Sequence, residues 1–356
     1  MIEVRQMTIT AHGGPEVLRE VETSLPEIQA GEVLVRTHFA GVNFSDIMAR
    51  QGLYPDAPPP PCVVGYEISG VVLATADDVQ EFQKGDSVMA LTRFGGYASH
   101  VSVPSRQVRK LPANVSLEEA AAVPVAFLTA HLMLFRLGGL QPGDTILVHN
   151  AGGGVGSALV KLARLKGAHV IATASRSKHE RIRDLGARQV IDYNQEDFVM
   201  EVMRETGGQG VDLVLDAGGP GRFARSAKVL APLGKLVMYG IQESISGRRN
   251  ISDLIGLGWN NWRLKFRPLA LMNRNMGAIG FNLGHLWRRQ DQVEMALDEL
   301  LKWLAEGKFK PEIDHIFTYV RAGDAHRYIQ NRQNFGKVLL DFRALTPGEA
   351  HISAEV

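Results

Sequence analysis

The run Asn150-Ala151-Gly152-Gly153-Gly154-Val155-Gly156 carries the strongest chemical signal in this 356-residue chain. It stands between Thr145–His149, which reads as a buried strand, and an apolar helix ending near Gly167. With Ala151 first, it fits the A-x-G-x-x-G form of the dinucleotide fingerprint. Gly153 would let the backbone approach a pyrophosphate, and Gly156 would let helix and strand pack closely, with helix N-terminal amides facing the phosphate charge. About 20 residues beyond such a loop, an acid accepts hydrogen bonds from an unmodified ribose. Here that place holds Ala174-Ser175-Arg176-Ser177-Lys178, with two cations and a hydroxyl but no acid. Arg176 and Lys178 could pair with a 2′-phosphate and Ser175 could donate to it, which favours NADPH over NADH. The plainer alternative is a solvated helix start.

The elements that must position this loop alternate strand and helix. After Thr145–His149 come Val170–Thr173, a helix near Lys178–Leu185, and strands at Val190–Asp192, Val211–Asp216, Lys235–Tyr239 and Ala278–Phe281. That rhythm predicts a parallel sheet covered on both faces. The first third has a different character, with short period-two runs at Val33–Thr37, Cys62–Gly65, Gly70–Ala74, Ser87–Leu91 and His100–Val103 separated by Pro and Gly. A small barrel-like β domain is expected there. Val293, Ala296, Leu297, Leu300 and Leu304 mark an amphipathic helix closed by Gly307, and Lys337–Asp341 returns to a strand pattern.

Composition bounds the remaining possibilities. One cysteine, Cys62, can form neither an internal disulfide nor a four-thiolate zinc lobe. A net charge of +1 without long basic runs argues against nucleic-acid binding. The opening MIEVRQMTIT reads as an early strand instead of an export signal. The apolar stretch Ala120–Phe135, interrupted by Pro124, Thr129 and His131, reads as a buried helix and falls short of the roughly 20 residues needed to span a bilayer. A cytoplasmic protein is expected.

Gly41-Val42-Asn43-Phe44-Ser45-Asp46, Gly65-Tyr66-Glu67-Ile68-Ser69-Gly70 and the 151–156 loop resemble the medium-chain dehydrogenase/reductase superfamily. In its zinc alcohol dehydrogenases the first motif carries a cysteine ligand and the second a histidine; this chain has Asn43 and Tyr66 there. Neither substitutes for a thiolate or imidazole, so no catalytic zinc is expected. Arg50–Tyr54, Ser175–Lys178, Gly280–Gly284 and Asn334–Leu340 are similar to the zinc-independent quinone oxidoreductase branch, nearest the vesicle amine transport protein family. The resemblance implies an α/β fold with a GroES-like β-barrel catalytic domain, residues 1–125 and 284–356, and a Rossmann doubly wound NADPH-binding domain, residues 126–283. It places Asn43 and Thr129 near the nicotinamide and Gly153, Gly154, Val155 and Gly156 at the pyrophosphate. Ser175, Lys178 and Tyr193, with Arg176 beside them, would surround the 2′-phosphate. Gly240 and Phe281–Leu283 would line the cleft, and Asn334 and Lys337 would close over the cofactor. Each has a structural alternative: Asn43 holding a turn, Thr129 or Tyr193 packing, Asn334 and Lys337 lying on the surface before a strand.

A nicotinamide without a metal suits acceptors that spread the incoming charge by conjugation. The expected reaction is NADPH-dependent reduction of a quinone, enone or enal, with Tyr54 as the candidate to orient the carbonyl or donate a proton. Tyr54 packing beside Pro55 is the plainer reading, and Asp46 is read as supporting its turn. The alternative function is a non-enzymatic NADPH-binding sensor, scaffold or lipid-associated module, suggested by the aromatic and basic residues of 251–276. The stronger reading of that segment is a subunit interface or a substrate-cleft lid. A homodimer is expected from the resemblance.

Overall fold

The computed structural model describes residues 3–25, 27–242, 264 and 266–343. Contacts divide the chain into two units. The first comprises residues 1–125, 297–306 and 313–356, and the second residues 126–296 and 307–312. Where the sequence reading returns the chain to the first domain at 284, the contact division falls at Leu297.

In the first unit, Glu32–Val42 is the organising strand. Its eleven residues pair antiparallel with Glu67–Thr75, His100–Pro104 and Lys337–Asp341. The seven-stranded sheet continues through Ser87–Leu91 to Val108–Lys110 on one side and to Ile313–Thr318 on the other. A second sheet joins Leu18–Ser24, Glu3–Ile9 and Cys62–Val63. Alternating inward residues such as Val33, Val35, Ile68, Val72, Val88 and Ala90 fill the core between these strands. Pairing Val338 with Val42 brings the distant Lys337 segment beside the Asn43 turn. That register is what assembles a site from residues nearly 300 positions apart.

The second unit is built on six parallel strands in the order Gln189–Asp192, His169–Ala174, Thr145–Val148, Val211–Asp216, Leu230–Met238 and Gly277–Gly280. The order reverses direction between the third and fourth of these, the switch point at which open parallel sheets bind ligands. Leu230–Met238 begins five residues earlier than the apolar pattern suggests. Val211 pairs with Leu230 across an irregularity, which carries Pro232 and Gly234 into the strand. The apolar stretch Ala120–Phe135 is not one helix. Proline lacks the N–H needed to continue a helical ladder, and the chain forms Leu117–Ala122, then Pro124–His131, then a wider π-helical stretch Leu132–Gly138. Likewise the expected helix near Lys178–Leu185 is a 3₁₀ turn, Arg176–Lys178, followed by a helix at His179–Asp184.

Candidate functional site: a glycine loop and a buried ion-pair cluster

The glycine loop follows Thr145–Val148 directly. Asn150 is left-handed (φ 54°), and the helix Gly154–Leu165 starts four residues later. A Cβ on Gly156 would lie 2.3 Å from Asn150 O and 2.7 Å from Ala151 Cα, so no side chain fits between helix and loop. A Cβ on Gly153 would meet only Asn150 O, at 3.5 Å. The fold thus has room for a side chain at Gly153, and its absence leaves bare backbone for a ligand. The amides of Gly154, Val155 and Gly156 occupy the first helical turn, where N–H groups have no intrahelical acceptor. This arrangement fits a dinucleotide pyrophosphate.

Two further groups flank the loop. The Lys178 stem passes over Gly152, where an added Cβ would meet Lys178 Cδ at 2.6 Å. Ala174 pairs with Asp192, so Ser175 and Tyr193 leave adjacent strand ends side by side. Ser175 Oγ lies 3.4 Å from Ser177 Oγ, Tyr193 is half-buried and Arg176 is exposed. These residues offer a hydroxyl pair, a phenol and two cations at one corner of the sheet, a donor set suited to a phosphate. Gly240 packs on Ala217, and Phe281 N–H donates to Met238 O, which holds Phe281–Leu283 beside the Leu230–Met238 strand end. Thr129 is buried on the helix Pro124–His131.

Beneath the loop lies a polar chain that sequence inspection misses. The Asp216 carboxylate accepts from Gly218 N–H (2.7 Å), Arg222 Nε (2.8 Å) and Ser226 Oγ (2.6 Å). Ser226 also meets His149 Nε2 at 3.2 Å, and His149 Nδ1 meets Thr173 Oγ1 at 3.0 Å. Since a carboxylate only accepts, the Ser226 proton goes to Asp216 and His149 must donate from Nε2. The hydroxyl is therefore not activated as a nucleophile, although serine, histidine and aspartate are all present. Burial pushes the His149 pKa down to about 3, which keeps the ring neutral. Burial works to raise the Asp216 carboxyl, yet the Arg222 cation and the hydrogen bonds from Arg222 and Ser226 outweigh it and hold it below its ordinary value.

In the first unit, Asn43 starts the helix Phe44–Arg50. Its side chain is gripped at both ends: Nδ2 donates to Glu67 Oε1 (2.9 Å) and Oδ1 accepts from Lys337 Nζ (2.9 Å). Lys337 also donates to Glu67 Oε1 (2.5 Å) and Val42 O (3.2 Å), while Glu67 Oε2 accepts from Val125 N–H (2.7 Å). Glu67 is fully buried and Lys337 is 3 % exposed. The reading of Asn334 and Lys337 as surface residues is therefore wrong. Asn334 is buried as well, and its Nδ2 donates to Gly336 O (2.9 Å). Parallel and antiparallel pairing on both sides of Lys337–Asp341 makes this a central strand, which a local pattern of charge before a strand does not reveal.

Asp46 supports the cluster from behind. Its carboxylate accepts from Asn43 N–H (2.8 Å), Gly65 N–H (3.0 Å) and the Tyr97 hydroxyl (3.0 Å), tying together the two motif segments. Burial pushes its pKa up to about 7, against the lowering pull of those donors. Tyr97 in turn meets His326 Nε2 at 3.2 Å. Tyr66 packs its ring against Phe94 at 5.3 Å and edge-on to half-buried Tyr54 at 6.1 Å. Burial raises the Tyr66 hydroxyl far above its ordinary value, so it remains a neutral phenol. Cys62 is buried in its strand opposite Ile9, and burial raises its thiol. Among the described residues there is no group of three His, Cys, Asp or Glu side chains placed to hold a metal. Trp259, Trp262, Arg263 and Lys265 of the 251–276 segment lie outside the described residues. Its remainder includes the helix Pro268–Arg274, with Leu269 71 % and Met272 68 % exposed. Among the described residues no helix is long and apolar enough to cross a membrane.

Residues 29–113 match the alcohol dehydrogenase GroES-like domain and residues 185–340 match a model described as zinc-binding dehydrogenase. The second match lies apart from both Asn43 and Tyr66. The human synaptic vesicle membrane protein VAT-1 homolog is 38 % identical over 341 residues, 95 % of this chain and 86 % of that protein. The crystal structure of human synaptic vesicle membrane protein VAT-1 homolog-like protein superposes with a TM-score of 0.83 at 33 % identity, covering 98 % of this chain and all of the other. Escherichia coli quinone oxidoreductase complexed with NADPH gives a TM-score of 0.83 at 28 % identity, over 95 % of this chain and 99 % of that one.

Proposed function

This chain belongs to the medium-chain dehydrogenase/reductase superfamily, in its quinone oxidoreductase-like group near the VAT-1 proteins, and from that premise we propose that it is a zinc-independent, NADPH-dependent reductase of quinones and α,β-unsaturated carbonyls. The observation that carries the metal-free reading is the buried Lys337–Glu67–Asn43 cluster. Its carboxylate is already neutralised by an ammonium and its neighbour is the phenol Tyr66, a donor set unsuited to zinc. NADPH, when bound, supplies the hydride. The chain's own residues bind and orient: the amides of Gly154–Gly156 and the bare Gly153 receive the pyrophosphate, while Ser175, Arg176, Lys178 and Tyr193 receive the 2′-phosphate. The family likeness assigns Asn43, whose amide is fixed at both ends within its own unit, to the nicotinamide, together with Thr129, Gly240, Phe281, Leu283 and Asn334. Tyr54 orients the acceptor carbonyl or passes a proton to it. A conjugated acceptor needs little further stabilisation of its developing oxyanion.

An oxidation panel tests this reading: NADPH and NADH against quinones, enals, enones and simple aldehydes, with metal analysis of the same preparation. Turnover of conjugated acceptors with NADPH and without stoichiometric zinc is expected. Stoichiometric zinc, or preference for NADH, overturns the corresponding part.

The second reading is an NADPH-binding module at a membrane surface in the cytoplasm. It is favoured by the exposed Leu269 and Met272 beside Arg267 and Arg274, and by relatives named as vesicle membrane proteins. Sedimentation with anionic liposomes tests it, and absence of association rejects it. The same apolar pair, close in sequence to the terminal strand Gly277–Gly280 of the six-stranded sheet, supports a homodimer instead. Light scattering of the wild type and of a Leu269→Glu, Met272→Glu variant separates these readings.

A further inference from the structure

The glycine loop begins with a residue in an unusual state. Asn150 is one of four described non-glycine residues with positive φ. Asparagine tolerates that region, but at a conformational cost that neighbouring contacts must offset. Its side chain is held on both sides: Oδ1 accepts from Arg222 Nη1 (3.3 Å) and Nδ2 donates to Gln242 Oε1 (2.7 Å). Arg222 is itself fixed by Nε on Asp216 (2.8 Å) and is only 8 % exposed. Gly218 makes room for it, since a Cβ there would meet Arg222 Nε at 2.3 Å. Asn150 O in turn accepts from Gly153 N–H (3.0 Å) and abuts Gly156, so both ends of the loop are referred to this one residue. The strands that end at Val148, Asp216 and Met238 are thereby linked beneath the loop, at the switch point of the sheet.

We infer that Arg222 is a positioning residue for the cofactor: anchored on Asp216, it locks Asn150 in the left-handed conformation that aims the Gly153–Gly156 amides at the dinucleotide pyrophosphate. This rests on the NADPH reading above. Arg222 touches no reacting atom in this role. Its effect is preorganisation, sparing NADPH the cost of ordering the loop on binding.

Two variants and two probes test it. Arg222→Met removes the anchor but leaves buried Asp216 without its cation, so Asn150→Gly provides the companion: glycine keeps access to positive φ and the Arg222–Asp216 pair stays intact. Binding is measured for NADPH and for adenosine 2′-monophosphate, which carries the 2′-phosphate but no pyrophosphate. Both variants are expected to weaken NADPH by about tenfold or more, the effect of losing a charge-assisted hydrogen bond. The KM for NADPH should rise with kcat retained, and 2′-monophosphate binding should stay unchanged. Equal weakening of both probes, or wild-type NADPH affinity in Asn150→Gly, overturns the inference while leaving the cofactor reading intact. A wild-type protein that binds no NADPH overturns both.

Discussion

Lys337 and Glu67, 270 residues apart in sequence, form a buried ion pair of 2.5 Å in which Asn43 is the third member. A pair of this kind is maintained by mutual neutralisation, because either charge alone in the interior is strongly disfavoured. It also removes ambiguity from the Asn43 amide: a carboxylate can only accept and an ammonium only donate, so the two ends of the amide are not interchangeable.

Lys337→Met should therefore destabilise the protein by roughly 3–5 kcal/mol, the cost of leaving a buried carboxylate unpaired. Adding Glu67→Gln should recover much of that loss, since no buried charge remains. Urea denaturation midpoints of the two single variants and the double variant measure the coupling. Additive losses would show that the pair is not a unit.

Asp46 predicts a pH dependence of defined sign. Its folded pKa, about 7, stands above its ordinary 3.8. Between those values the unfolded chain gives up a proton that the folded chain keeps, so this group's contribution to stability falls as pH rises from about 4 to about 7. Asp46→Asn should flatten that part of the profile. Thermal midpoints of the two proteins across this window check it, and parallel profiles would exclude Asp46 as the titrating group.

Replacing both Arg176 and Lys178 by Ala should weaken NADPH by about tenfold or more, the loss of charge-assisted phosphate contacts, and leave NADH nearly unaffected. Isothermal titration with both dinucleotides measures the change in preference. Equal losses for both would remove these side chains from 2′-phosphate recognition.

Tyr54→Phe should lower enone turnover by roughly 100-fold if the hydroxyl is the proton donor, while quinone turnover persists, because a reduced quinone's oxygens take protons readily from water. Steady-state rates with one acceptor of each kind distinguish these outcomes. Full turnover with every acceptor would leave Tyr54 a packing partner of Tyr66.

Much of the cofactor unit was legible in the sequence. The loop, its flanking strands and the cations after Ala174 lie within about 30 residues, and the chemistry of a βαβ unit is local. Element ends were less legible where tertiary pairing decided them, as in the early start of Leu230–Met238. Asn43 and Lys337 were visible as candidates through family likeness, but their contact was not. Nothing near Lys337 in sequence signals Glu67.

By itself the sequence determined the alternation of strand and helix, the glycine loop, the lack of thiolate and imidazole at Asn43 and Tyr66, and the absence of an acid from Ala174–Lys178. These follow from local periodicity and residue chemistry. Only the tertiary structure decided that Lys337 is buried against Glu67, that Asp46 ties Asn43 to Gly65, and that Arg222 reaches Asn150. Each depends on strand register or on helices packed across the sheet. A buried charge becomes tolerable only where the fold delivers its partner, and that partner can come from anywhere in the chain.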